Sequence, residues 1–343
     1  MPFEIVRNDI TKMQVDAIVN SANPKPIVGL GTDSSIHEAA GPELLKARQK
    51  IGPISMGQAA ITPAFNLDAK YVIHTVGPVW DGGSYGEEKL LRGCYDNSLK
   101  LAKEHKCRSI AFPLIATNNY GFPRDKALQI AVSAFSSFLM EHEMQIYLVV
   151  FSRDSLKLSE KLVHNVRCYI DQNYVDAYEQ ETYGDVIEKR RGNRYQTRRI
   201  MQMQETCMAM PCAPMPCENT SLSLDDFIKE KDAGFTETLL ELIKKKGLKN
   251  SAVYKKANIS KQHFSKLIND PDAKPSKQTA IALALALELD LENTRDLIGR
   301  AGYALTNSST FDLIIRYFIE HKQFNVIEIN IALYEFDQSL LGA

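Results

Sequence analysis

Short apolar runs and longer amphipathic stretches alternate through residues 1–175. Phe3-Glu4-Ile5-Val6, Asp16-Ala17-Ile18-Val19-Asn20, Tyr71-Val72-Ile73-His74-Thr75-Val76, Ser109-Ile110-Ala111-Phe112-Pro113-Leu114 and Gln145-Ile146-Tyr147-Leu148-Val149-Val150-Phe151 read as strands. Helical spacing falls between them, at 33–49, 87–105, 124–142 and 153–173. Strands alternating with helices predict a three-layer α/β/α sandwich with mostly parallel central strands. The unbroken run Tyr147–Phe151 suits a strand covered on both faces.

The pattern changes beyond residue 175. Residues 176–222 show no periodicity and read as a linker: a basic cluster (Lys189, Arg190, Arg191, Arg194, Arg198, Arg199), then a stretch rich in Met, Cys and Pro. From 223 to 343 the chain reads as all-α. Ser223 with Asp226 resembles a helix start, Phe235, Leu239, Leu242 and Ile243 keep helical spacing, and Gly247 is placed to stop that helix. Further helices are expected at 279–289, 292–301, 311–321 and 326–336.

At 343 residues the chain is long enough for two domains. No window is apolar enough to span a membrane, and the first residues carry no basic-then-apolar leader, so a membrane or secreted protein is not expected. Six cysteines are too few for a disulfide scaffold of this size, which fits a reducing cytoplasm. Cys207, Cys212 and Cys217 lack both a fourth ligand and a short C-x2–4-C pair, so no metal site is expected. Charge is segregated: 41 basic and 42 acidic side chains nearly cancel, yet residues 241–280 carry ten lysines against Glu241, Asp270 and Asp272. Residues 281–343 reverse the balance, with four basic and nine acidic groups. A locally basic module is suited to a polyanion.

Polar, glycine-rich segments follow the proposed strands, where open α/β sheets bind ligands. Gly29-Leu30-Gly31-Thr32 runs into a helix near Asp33, so backbone N–H groups and a helix N-terminus can receive a phosphate. Thr117-Asn118-Asn119-Tyr120-Gly121-Phe122 precedes another helix and forms a second cradle, with Tyr120 and Phe122 available to stack. Asp9 can accept from an exocyclic amine. Asp33 can serve as a helix N-cap, as an acid that orients water, or as both.

These segments together resemble a macrodomain, the ADP-ribose-binding fold, in its MacroD-type branch. The likeness rests on Asn8-Asp9-Ile10-Thr11, Val15 through Asn23, Asp33 through Gly41, Ala69 through Pro78, and Tyr120-Gly121-Phe122-Pro123. The resemblance implies a mixed sheet of six or seven strands between helices and no cofactor or metal. It also implies Asp9 and Ile10 at adenine, Asn23 at the distal ribose, Gly29 to Asp33 and Thr117 to Phe122 on either side of the diphosphate, and Phe151 near the adenine end. Asn23 and Asp33 would be the catalytic pair. They would support removal of ADP-ribose from an acidic side chain or of acetyl from O-acetyl-ADP-ribose. The chain departs from the family at Leu30, within its glycine run, and at Ala116-Thr117-Asn118, where relatives read Ser-Thr-Gly and a residue at φ > 0 is often needed at Asn118.

Within the basic segment, Val253 through Leu267 reads as helix, turn, helix, with Ser260 as cap and Ile259, Phe264 and Leu267 inward. Residues 236–300 resemble a Cro/repressor-type helix-turn-helix domain, with Asn258 where a turn glycine is common. Lys255, Lys256, Lys261, Gln262, His263, Lys266, Lys274 and Lys277 would then face duplex DNA. The same topology serves protein contact equally well. Two function classes follow: a hydrolase targeted by its helical domain, and a non-catalytic sensor of ADP-ribose or a related nucleotide that controls that domain.

Overall fold

The structure is a computed structural model that describes residues 2–151, 163–171, 233–270 and 273–342. The linker at 176–222, its three cysteines, and the helix start at Ser223 lie outside the described residues.

Six strands form one sheet: β1 (Phe3–Arg7), β2 (Val15–Ser21), β3 (Ala59–Pro63), β4 (Ala69–Thr75), β5 (Ser109–Phe112) and β6 (Gln145–Val150). Their order is β1-β6-β5-β2-β4-β3, parallel throughout except for β3, which pairs antiparallel with β4. Alternate side chains serve opposite faces. Ala17, Val19, Ile73, Ile110 and Phe112 join the core under α3 (Glu87–Glu104) and α4 (Arg124–Glu141). Ile18, Val72 and Ala111 join a second core under α1 (Thr32–Ala40) and α2 (Pro42–Ile51). The mixed three-layer sandwich is thus present. The single helix expected at 33–49 is two, because Gly41 at φ +85 ends α1, its N–H donating to His37 O, and Pro42 starts α2. Strand β3 was not expected from the sequence.

The second domain contains α5 (Phe235–Lys245), α6 (Asn250–Lys256), α7 (Lys261–Asn269), α8 (Lys277–Ala286), α9 (Leu291–Arg300), α10 (Thr310–Glu320) and α11 (Val326–Glu335). Helix α8 is buried from Thr279 to Ala286 and forms the centre of the bundle. Helical residues 163–171, grouped with the first domain in the sequence, bury Val166 and Ile170 in this second core.

The two domains share a seam at the N-terminal ends of the parallel strands. Helix α11 supplies Ile329 and Leu333 to the helical core and Ile327 and Ile331 to the sandwich core. Strand β1 is a sheet edge, and an edge strand leaves backbone groups unpaired. Asn258 pairs with them: its Oδ1 accepts from Phe3 N at 2.9 Å and its Nδ2 donates to Phe3 O at 3.0 Å. Asn258 is buried and lies at φ +55, a conformation asparagine tolerates better than most residues.

Candidate active site

Because β1, β2, β4, β5 and β6 run parallel, the segments that follow them emerge at one edge of the sheet, opposite the seam. Two of these segments wall a cleft of about 230 Å3: Ser21 to Asp33 on one side and Pro113 to Tyr120 on the other. Of the residues expected at a ligand, Asn23, Gly29, Leu30, Thr32, Asp33, Thr117, Asn118, Asn119 and Tyr120 line it.

Asp33 is 3% exposed, yet it forms part of the cleft wall. It lies in the first turn of α1, where the helix dipole favours a carboxylate. The N-cap is Gly31, at φ +68, so Asp33 does not fill the capping role the sequence allowed it. Its Oδ1 instead accepts from Asn20 Nδ2, and its Oδ2 accepts from Gly29 N, both at 2.5 Å. A Cβ on Gly29 would stand 3.1 Å from Asp33 Oδ2, so the glycine lets this backbone close on the carboxylate. Leu30 is 77% exposed and projects from the lip. Asn23 Oδ1 accepts from Lys25 N, so the group this side chain offers a ligand is Nδ2.

Behind Asp33 lies a buried polar cluster that sequence reasoning did not single out. Asn20 Nδ2 lies 3.3 Å from His74 Nδ1, and His74 Nε2 lies 3.0 Å from Thr62 Oγ1. An asparagine donor on Nδ1 fixes the neutral tautomer with the proton on Nε2. Burial pushes His74 down to about 3, and the charges of Arg48 and His37 add to the shift. His37 Nε2 is 3.7 Å from Asp33 Oδ1. Burial also lowers the His37 pKa; Asp33 opposes that shift and Arg48 adds to it.

The opposite wall corrects two expectations. The left-handed residues are Ala116 (φ +64) and Gly121 (φ +63), not Asn118. Ala116 holds this conformation because Phe122 N donates to its carbonyl and Gly77 lies against its Cβ, where a second Cβ would come within 2.8 Å. Phe122 is not available to stack on a ligand: it is 1% exposed and packs edge-on against Trp80 at 4.7 Å. Tyr120 does face the cleft, and burial together with Asp33 raises its hydroxyl pKa.

Asp9, Ile10, Gly31, Gly121 and Phe151 are not part of the cleft wall. Ile10 is core. Asp9 follows β1 and Phe151 follows β6, adjacent strands in register from Phe3↔Ile146 to Arg7↔Val150, which places both at the same sheet edge as the cleft. Asp9 accepts from Thr11 N and Thr11 Oγ1, and these bonds hold its carboxyl below the usual range. Phe151 is 79% exposed.

The basic residues of the helical domain divide. Lys255 donates to Met140 O, Lys256 pairs with Glu288 at 2.9 Å, and Lys277 pairs with the buried Asp312 at 2.6 Å. Lys261, Gln262, Lys266 and Lys274 are exposed, and His263 is half-buried. Ser260 caps α7 by accepting from His263 N, as expected, and Ile259, Phe264 and Leu267 are buried. Among the described residues no cluster of metal-ligating side chains occurs, and no helix is long and apolar enough to cross a membrane.

Comparison with known proteins follows this division. The Macro domain family model matches residues 19–131. A Macro domain-containing protein of Methanosarcina mazei is 48% identical over 166 residues, which are 48% of this chain and 89% of that protein. The O-acetyl-ADP-ribose deacetylase of Escherichia coli (strain K12) is 47% identical over 167 residues, 47% of this chain and 94% of that one. A solved Oceanobacillus iheyensis macrodomain with ADP shares 42% identity at a TM-score of 0.43, covering 45% of this chain and 85% of its own.

Proposed function

The chain belongs to the macrodomain family through its N-terminal domain, and on that premise we propose that its cleft hydrolyses an ester of ADP-ribose. The ester is the acetyl group of O-acetyl-ADP-ribose or the bond to an acidic protein side chain. The observation that carries this reading is Asp33, held almost fully buried between Asn20 and Gly29 N at the cleft wall. Each carboxylate oxygen has a second acceptor site, so Asp33 can also orient a water. That water adds to the ester carbonyl carbon, and the ribose oxygen departs and takes up the proton. The N–H groups of residues 30–32 at the start of α1 suit the diphosphate. Asn23 Nδ2 meets the distal ribose, and Asp9 accepts from adenine. The name and 47% identity of the E. coli relative support the same chemistry.

The test gives the full chain each ester in turn and measures release of acetate or ADP-ribose. Asp33→Ala and Asn23→Ala should each lower kcat on the order of a hundredfold, with smaller losses in ADP-ribose affinity. Absence of release from both esters, with ADP-ribose still bound, would replace this reading with the sensor.

For the helical domain we infer a duplex-DNA surface on α7, because Lys261, Gln262 and Lys266 stay exposed while neighbouring lysines are engaged internally. Binding through phosphates must weaken steeply with salt. Lys261→Glu with Lys266→Glu should abolish retention of duplex DNA by the full chain. A wild-type chain that ignores duplex DNA at low salt would leave the protein-contact reading, which the docking of Asn258 on β1 already supports within the molecule.

A further inference from the structure

One buried side chain behind the cleft has no part in the chemistry above. Arg48, on α2, is 2% exposed. Its Nη1 donates to the carbonyl of Gly52, the left-handed residue that ends α2. Its Nη2 donates to the carbonyls of Asn23 at 3.3 Å and Pro24 at 3.4 Å. A guanidinium is a planar fork of five donors, so one side chain ties the end of a helix to the turn that follows β2. Removing that charge from water is costly, and the nearby Asp33 carboxylate compensates in part. Surface packing does not call for a cation here: Lys46 and Lys50 on the same helix are exposed.

We propose that Arg48 is a positioning residue for the reaction, gripping the Asn23–Pro24 backbone so that the Asn23 amide is aimed at the distal ribose of a bound ester. This inference rests on the hydrolase reading. Arg48 is not part of the cleft wall and meets the site only through the Asn23 and Pro24 carbonyls, so it acts through Asn23. Its loss should therefore be felt in kcat more than in the affinity for ADP-ribose. A side chain needed only for stability would instead leave the kcat of the folded protein unchanged.

The experiment measures acetate release from O-acetyl-ADP-ribose by full-length wild type, Arg48→Met, Arg48→Lys, Asn23→Ala and the double variant Asn23→Ala/Arg48→Met. Calorimetry with ADP-ribose is run alongside. Arg48→Met should lower kcat at least tenfold and change the ADP-ribose Kd less than threefold. Arg48→Lys, which keeps the charge and one set of donors, should recover part of the rate. In the Asn23→Ala background the Arg48→Met change should cost almost nothing further, because the group it positions is gone. If Arg48→Met does not fold, Arg48→Lys takes its place in the same cycle, with a smaller loss that again disappears beside Asn23→Ala. A folded Arg48 variant with wild-type kcat, or losses that multiply in the double variant, would overturn the proposal. A wild type that releases nothing would strike down the hydrolase reading and this inference with it.

Discussion

The two ends of one parallel sheet are put to opposite uses. At the C-terminal ends of its strands the connections carry glycine, a left-handed Ala116 and an Asp33 anchored by two short hydrogen bonds, and they leave a cleft open. At the N-terminal ends the polar groups are matched to one another: Asn258 to Phe3, Tyr254 to Glu143, Lys255 to Met140 O. Apolar side chains of α11 close the gap between the domains. The difference shows that polarity and charge do not by themselves make a site. Residues 241–280 are strongly basic, yet Lys255, Lys256 and Lys277 are engaged within the molecule. The cleft residues, with far less net charge, are the ones held in place with groups left over for a ligand.

The largest test of this contrast is at the seam. Asn258→Leu leaves Phe3 N and O without partners and puts a branched side chain in a left-handed turn. Global stability should fall by roughly 2–6 kcal/mol, at about 1–3 kcal/mol for each of the two orphaned buried groups. Asn258→Gly, which suits the backbone, should lose less. Urea unfolding followed by fluorescence measures both, and equal stability of wild type and Asn258→Leu would show that the seam does not hold the domains together.

Next in size is the back wall of the cleft. Gly77→Ala brings a Cβ within 2.8 Å of the Ala116 Cβ. The overpacking should cost about 1–3 kcal/mol. Ala116→Gly should restore much of that loss in the double variant, although Ile115 also crowds the site. Independent, additive losses would mean the two loops do not touch as described.

The effect that is smallest near neutral pH is a slope. His74 is neutral in the folded protein, its pKa pushed to about 3 from an ordinary 6.5. Between those values the unfolded chain binds a proton that the folded one does not, so stability falls as pH falls through this window and is retained in full above 6.5. The contribution approaches about 1.4 kcal/mol per pH unit. His74→Gln should flatten the pH dependence of urea midpoints below pH 6.5. An unchanged slope would mean that His74 is not held neutral in the folded state.

Much of this was legible in the sequence, for physical reasons that can be named. Continuous apolar runs marked β2, β4, β5 and β6, and the segments after β2 and β5 supplied the cleft walls. Strand β3 escaped because Ala59-Ala60-Ile61-Thr62-Pro63 is a short edge strand with little alternation. The break at Gly41-Pro42 was present as a dipeptide but was overridden by helical spacing on both sides. The cluster behind Asp33 was hidden because it depends on register: Asn20 opposes His74 on β4, and Thr62 reaches His74 from β3. Arg48 gave only its i, i+4 spacing from the buried Leu44. Asn258 stands out in the sequence only as a departure from glycine, because its partner lies 255 residues away.

The central claim is that ligand chemistry belongs to the C-terminal edge of the sheet and docking to the other. Calorimetric titration of ADP-ribose into wild type, Asp9→Ala and Asn258→Gly addresses it most directly. Asp9 stands at the same sheet edge as the cleft without lining it, so its loss tests the proposed reach of the ligand beyond the cleft wall. The account predicts one site per chain, affinity reduced at least tenfold in Asp9→Ala, and wild-type affinity in Asn258→Gly. Equal affinity in Asp9→Ala and wild type, or a loss confined to Asn258→Gly, would contradict it.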